Sequence, residues 1–288
     1  MITAALVKEL RDKTNAGMMD CKKVLTEANG DIDAAVKLLR ERGIAKAGAK
    51  ADRAANEGIV SARVSADAKS GILFEVNCET DFVSKNENFQ GFVAALGESL
   101  EAAAAPDLDA ALAATHDGVT VADAVKAKIA EIGENMQLRK YVRYEAAGDG
   151  VVASYIHMGG KVGVLLEVAA TRPATAANEK FQELVRDLTL HIAAAAPKGL
   201  SRDDIPAEVV AAEEEIFRVR LADSGKPDNI IENILKGQLN KFFSESCFLE
   251  QGFVKEDKTP VKQLLENIGK ELGDTITVTR FERFGLGE

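Results

Sequence analysis

Three histidines and three cysteines have the widest chemical range in this 288-residue sequence, and their spacing joins them into no site. His116, His157 and His191 stand far apart, so a metal cage or a histidine-based triad would need distant segments to converge. His191 falls in a helical pattern and reads as a core or surface histidine. His157 ends a strand beside Gly159-Gly160-Lys161, at a hairpin tip where exposed contacts are expected. Cys21, Cys78 and Cys247 are odd in number and show no CxxC spacing, which points to buried or idle thiols in a reducing compartment. No Gly-x-x-x-x-Gly-Lys-Ser/Thr occurs; Gly43–Lys50 approaches it but lacks the final triplet, so no P-loop is expected. The common hydrolase, zinc-protease and dinucleotide motifs are absent as well. An acid/base pair could hide among 46 Asp and Glu residues, but no spacing singles one out. The sequence therefore predicts no catalytic residue, no metal and no cofactor.

The elements that would carry any other chemistry are organised by a repeat. At a constant spacing of 92 residues, Gly58 matches Gly150, Val60 matches Val152, Lys69 matches Lys161, Gly71 matches Gly163, and Leu73 matches Leu165. Glu75-Val76 matches Glu167-Val168, and the following helix matches through Phe89-Gln90 and Phe181-Gln182 to Leu96 and Leu188. Each copy reads as strand, glycine-containing turn, strand and long amphipathic helix, with Ile59–Val64 and Ile72–Asn77 pairing as a hairpin. Phe89, Phe92, Val93, Leu96 and Leu100 line the helix face that covers the sheet. A third strand closes each copy, with Leu138, Lys140 and Tyr141 matching Val278, Arg280 and Phe281. Here the spacing is 140 rather than 92, so the second copy carries about 48 additional residues before its last strand. That insertion, 201–243, reads as two helices around an Asp223-Ser224-Gly225-Lys226-Pro227 turn. Ile216, Phe217, Ile230, Ile231 and Leu239 give it more apolar surface than one seam uses.

Ahead of the repeat, residues 1–45 read as three short helices. Thr3 caps the first, Asn15-Ala16-Gly17 separates it from the second, and Asp31 caps the third. Their apolar faces are Leu6, Val7 and Leu10, then Cys21, Val24 and Leu25, then Ile32, Ala35, Val36 and Leu39. Adjacent Met18 and Met19 diverge by more than 90° on a helix, so both cannot be fully buried; Met19 is a candidate adaptable contact for a partner. Residues 46–56 read as a linker with local basic character at Lys46, Lys50 and Arg53. The expected fold class is α+β: a three-helix domain (1–45), the linker, and a first unit (57–146) built on an antiparallel three-stranded sheet with helices. A second such unit (147–200 and 244–288) carries the helical hairpin.

Composition narrows the partners. Hydrophobic content of 46% and charged content of 28% suit a globular protein with a real core. A net charge of −10 makes nucleic acid a poor default partner. No apolar run approaches the length that spans a bilayer, and Lys8 and Glu9 interrupt any signal-peptide core, so the expected location is cytoplasmic.

One segment breaks the repeat's symmetry. After the shared Glu-Val, the first copy reads Asn77-Cys78-Glu79-Thr80-Asp81-Phe82-Val83, and the second reads Ala169-Ala170-Thr171-Arg172-Pro173-Ala174-Thr175. A large aromatic beside a carboxylate either packs under the following helix or is offered to another molecule. The run Glu75–Val83 resembles the signature of the bacterial translation elongation factor Ts family, guanine-nucleotide exchange factors for elongation factor Tu. Leu6–Leu25, with Thr14-Asn15-Ala16-Gly17-Met18-Met19-Asp20-Cys21-Lys22-Lys23, resembles that family's ubiquitin-associated-like N-terminal domain. His157-Met158-Gly159-Gly160-Lys161-Val162-Gly163 and Ser224-Gly225-Lys226-Pro227 are similar to further family patterns.

The resemblance covers almost the entire chain and implies a function without covalent chemistry. It implies that the N-terminal helices lie on the partner's nucleotide-binding domain. The Thr80, Asp81, Phe82, Val83 turn would enter that domain near its Mg²⁺ and phosphate site. The tip at His157, Met158, Gly159 and Gly160 would touch a more distal domain, and the 201–243 hairpin would correspond to a coiled-coil dimerisation motif. GDP-bound and nucleotide-free elongation factor Tu are the implied partners. Longer members continue into a C-terminal helical module, whereas this sequence ends at Glu288, so that module's contacts are not expected here. The competing reading is a passive adaptor, in which the N-terminal helices bind and the hairpin oligomerises without accelerating exchange.

Overall fold

The computed structural model describes residues 2–14, 16–222 and 227–288, with backbone alone at 44–47, 222 and 228. Asn15, the side chain of Lys46 and the Asp223-Ser224-Gly225-Lys226 part of the expected turn lie outside the described residues. In chain order the elements open with helices α1 (Ala4–Thr14), α2 (Met18–Glu27) and α3 (Ile32–Gly48). Strands β1 (Glu57–Val64) and β2 (Ser70–Cys78) lead to α4 (Asp81–Ser84), α5 (Glu87–Ala103) and α6 (Leu108–Ala113). Short β3 (Thr115–His116) and β4 (Val119–Thr120) precede α7 (Val121–Ile132) and β5 (Met136–Glu145). The pattern then returns with β6 (Val151–His157), β7 (Val162–Ala169), α8 (Pro173–Ala176) and α9 (Glu179–Ala195). Helices α10 (Ala207–Ala222) and α11 (Asp228–Ser246) intervene before β8 (Gly252–Phe253), β9 (Glu256–Pro260), α12 (Val261–Leu272) and β10 (Thr277–Gly285). The fold is mixed α+β with antiparallel sheets.

The first three helices enclose Val7, Leu10, Cys21, Val24, Leu25 and Ala35. Thr3 Oγ1 accepts the Leu6 amide at 3.2 Å, and Asp31 Oδ1 accepts that of Ala34 at 2.9 Å, so both expected caps form. Val36, grouped above with the core face, is instead exposed. The small core is supplemented by docking: α3 lies along α7, with Arg40 paired to Asp123 at 3.1 Å. A Cβ on Gly43 would stand 3.2 Å from Ala130 Cβ.

Two three-stranded sheets, β1-β2-β5 and β6-β7-β10, form the centre. Strand alternation gives each two buried faces. Ile72, Phe74, Val76 and Cys78 of β2 meet Phe89, Phe92, Val93 and Leu96 of α5, while Val164, Leu166 and Val168 of β7 meet Phe181, Leu184 and Leu188 of α9. The other faces meet each other through Val60, Leu73 and Tyr144 on one side and Val152, Leu165 and Phe284 on the other. The contacts are reciprocal: the Val60 amide donates to Gly160 O at 2.8 Å, and the Val152 amide to Ala68 O at 2.7 Å. The ammonium of Lys140 sits 5.3 Å from the Phe284 ring, and the guanidinium of Arg280 sits 4.1 Å from the Tyr144 ring. Buried Glu75 is met by Arg139 and Lys140, and buried Glu167 by Arg280 at 2.6 Å. Each sheet also bulges at one place, leaving Arg139 and Thr279 out of register.

Sequence reasoning assigned no element between the first long helix and the closing strand. The structure places α6, β3, β4 and α7 there, and β8, β9 and α12 at the corresponding place in the second unit. Alanine-rich sequence blurs the apolar period of α6, and β3 and β4 are two residues each. The inserted helices α10 and α11 pair through Val209, Val210, Phe217, Phe242 and Phe243 around Ile205 and Cys247. They leave Ile216, Val219 and Ile230 exposed.

Candidate functional site

The connection between β2 and α5 is a single helical turn, Asp81–Ser84, whose sequence fixes its ends. Thr80 is extended (φ −125°, ψ 155°) and its hydroxyl accepts the Val83 amide at 3.4 Å, the arrangement of an N-cap. Ser84 is buried, and its hydroxyl donates to Asp81 O at 3.0 Å. Val83 packs against the first core. Helical geometry then leaves Phe82 no inward direction: its side chain is 83% exposed, the most exposed of the large apolar residues described. Of the two readings open for this ring, packing under the following helix is overturned.

Beside it, Asp81 pairs with Lys85 one turn on, at 2.7 Å. The Lys85 ammonium holds the Asp81 carboxyl below its usual range, so the tip carries a carboxylate at neutral pH. Cys78, beneath the turn, donates its thiol to Thr80 O at 3.2 Å. Burial pushes this thiol up to about 12, and burial raises Cys21 and Cys247 too, so none is a nucleophile.

The turn is held from outside by residues that sequence reasoning did not select. Glu134, in the α7–β5 connection, accepts the Glu79 and Thr80 amides on Oε2 at 3.1 and 3.0 Å, and the Thr80 hydroxyl on Oε1 at 2.7 Å. Glu79 returns the contact by accepting the Asn135 amide at 2.6 Å, and the Asn135 side chain donates to Arg53 O at 2.7 Å. One signal could have found the clamp. Glu134 follows Gly133, and 140 residues on Asp274 follows Gly273.

Asp274 holds the second connection in the same manner. It accepts the amides of Thr171 and Arg172 at 3.1 and 3.2 Å, together with the hydroxyls of Thr171 and Thr175. Those hydroxyls hold its carboxyl well below the usual range. The connection that differs completely in sequence therefore keeps its shape: α8 is also a four-residue turn. What changes is the tip, where Ala174 stands in the place of Phe82.

The hairpin tip between β6 and β7 lies close by. Gly160 (φ +95°) presses on β1, where a Cβ would stand 2.7 Å from Ile59 Cγ2. Lys161 pairs with Glu57 at 2.7 Å and acts electrostatically on Asp81. His157 is exposed with Nδ1 2.9 Å from the Tyr155 hydroxyl, Met158 is 72% exposed and Gly159 is exposed. Met18 and Met19, on the first turn of α2, are both exposed, Met19 at 75%.

The remaining histidines are structural. His116 is buried with Nδ1 2.8 Å from Ser99 Oγ. His191 is buried between Gln251 and the Val254 amide. No group of three or more potential metal-ligating His, Cys, Asp or Glu residues occurs among the described residues, and no described helix is long and apolar enough to cross a membrane. The arrangement can present a stiff apolar and acidic tip to another molecule.

Comparison with known proteins gives the same direction. A family model described as Elongation factor TS matches residues 79–288. The chain is 45% identical over 290 residues to Elongation factor Ts of Trichlorobacter lovleyi, covering all of this chain and 93% of the relative. It is 47% identical over 289 residues to Elongation factor Ts of Syntrophotalea carbinolica, with the same coverage. It is 44% identical over 289 residues to Elongation factor Ts of Clostridium perfringens, covering all of this chain and 94% of that protein. An exposed aromatic turn where the signature falls, a match over most of the length and relatives of near-equal extent lead to one assignment: the chain belongs to the elongation factor Ts family.

Proposed function

We propose that this chain is the guanine-nucleotide exchange factor for elongation factor Tu and acts by inserting the Thr80–Val83 turn beside that partner's Mg²⁺ and phosphate site. The observation that carries the reading is Phe82 itself, 83% exposed on a turn whose first amides are held by Glu134. Mg²⁺ and backbone donors neutralise the phosphates in GTPases of this kind. A ring driven between those elements displaces them, and the Asp81 carboxylate adds negative charge where the phosphates need positive. Neither residue transfers a proton. Because coupling between two ligands is reciprocal, a factor that weakens GDP binding is itself weakened by GDP, so arriving nucleotide expels it.

The same reading assigns roles to the other surfaces. Residues 1–45 act as a ubiquitin-associated-like domain on the nucleotide-binding domain, with Met19 as an adaptable contact. Residues 57–146, and 147–200 with 244–288, descend from one duplicated unit, and His157–Gly160 reaches a distal domain of the partner. The 201–243 hairpin offers Ile216, Val219 and Ile230 to a second copy, which light scattering across a concentration series tests. Work in the cytoplasm, without nucleic acid or membrane as direct partners, completes the picture.

Release of fluorescent GDP from elongation factor Tu, followed by stopped flow, tests the core of it. Phe82→Ala is expected to lower the stimulated rate by about tenfold or more, the scale of a buried aromatic anchor. Asp81→Ala is expected to lower it less. Wild-type rates for both would remove the wedge, and a wild-type chain that binds without accelerating release would be a passive adaptor.

A further inference from the structure

We propose that Glu134 is a positioning residue for nucleotide exchange, holding the Phe82 turn rigid so that partner contact is converted into displacement; the inference rests on the wedge reading above. A four-residue helix does not hold its own shape, because nucleation fixes several residues for one hydrogen bond. Phe82 contributes nothing to holding it, being exposed. Val83 anchors the far side of the turn in the core, and its start is fixed at the strand end, where one carboxylate collects two successive amides and a hydroxyl at 2.7–3.1 Å. Bonds of this charge-assisted kind are the short, strong class. The Thr80 hydroxyl also links the clamp to the cap, since it donates to Glu134 and accepts from Val83. A loose turn still reaches its partner but yields on contact, so the loss falls on the maximal rate.

The second unit provides the comparison within one molecule. Asp274 makes the same clamp on a turn tipped by Ala174. Removing Asp274 costs the fold more bonds than removing Glu134, yet only the Glu134 turn carries a wedge.

The experiment measures fluorescent-GDP release from elongation factor Tu as a function of factor concentration, well below the melting temperature of every variant. For Glu134→Ala the saturating rate is expected to fall by about tenfold, with the half-saturating concentration within about threefold of wild type. Glu134→Gln is expected to recover most of the rate, because its amide oxygen still accepts both backbone N–H groups while its NH₂ donates to the Thr80 hydroxyl. Asp274→Ala is expected to lower the melting temperature at least as much and leave the saturating rate within about twofold. A Glu134→Ala saturating rate within twofold of wild type, while Phe82→Ala is slow, overturns the inference and leaves the wedge standing. Equal losses in Glu134→Ala and Asp274→Ala overturn it as general destabilisation. Normal rates in Phe82→Ala sink the wedge itself. Should Glu134→Ala not fold, Thr80→Val, which removes the hydroxyl shared by clamp and cap, carries the same prediction.

Discussion

Phe82 sits where its own fold gains nothing from it. A ring 83% exposed adds little burial, so its replacement should leave stability nearly unchanged. Thermal unfolding of Phe82→Ala is accordingly expected within about 0.5 kcal/mol of the parent, and a loss well beyond that would mean the ring packs inward in solution. The pairing of a stability-neutral change with a large loss of exchange is the signature of a residue kept for a partner. Phe82 was legible in the sequence because the repeat supplied a reference: where one copy has Ala174, the other has an aromatic beside a carboxylate. Glu134 was not. Its partners are backbone amides, which every non-proline residue carries, and they lie 54 and 55 positions away. No residue type at Glu79 or Thr80 announces that its N–H needs an acceptor.

At the scale of elements, helix α9 is locked to the β8 region through His191. Its Nδ1 accepts the Val254 amide at 3.2 Å, which assigns the proton to Nε2, donating to Gln251 Oε1 at 3.0 Å. The Gln251 amide in turn donates to Glu245 O at 2.7 Å, tying the end of α11 into the same lock. Burial lowers the His191 pKa from its ordinary 6.5. The neutral ring is the native form, so below pH 6.5 the unfolded chain binds the proton first and stability falls as the pH drops toward the folded value. The melting temperature is expected to decline between pH 7 and about 5.5. His191→Gln should start lower, by about 1–3 kcal/mol for the disrupted buried bonds, and show a flatter slope over that window. An unchanged slope would assign the acid sensitivity to other groups. Helices α9 and α11 beside this lock were legible from their apolar period, and β8 was not. The short pieces α6, β3 and β4 were not either, being too brief to show a period, whereas α7 carries one in Val121, Val125 and Ile129 that sequence reasoning passed over.

Across the whole molecule, the two sheets meet as if they were separate subunits, each patch contacting its counterpart in the manner of an isologous interface. Its closeness depends on two glycines at the same position of the repeat. A Cβ on Gly163 would stand 2.4 Å from Val60 Cγ1 and 2.8 Å from Leu73 Cδ1, and one on Gly71 would stand 2.8 Å from Val152 Cγ1 and 3.1 Å from Leu165 Cδ1. Val60 and Leu73 are fully buried, so neither has space to swing aside, and the sheets themselves must part. Gly163→Ala is expected to cost about 1–3 kcal/mol, the range of core overpacking, and Gly71→Ala less because its nearest approach is longer. Denaturant midpoints at unchanged m-value measure both. The order matters more than the size: sheets that merely touch would give two small, equal losses. Parting the sheets also withdraws Gly160 from β1 and Lys161 from Glu57, the contacts that set the His157–Gly160 tip beside the Asp81 turn. Gly163→Ala should therefore slow nucleotide release more than its stability loss alone explains, although it lies in neither surface, and Gly71→Ala should follow in the same order.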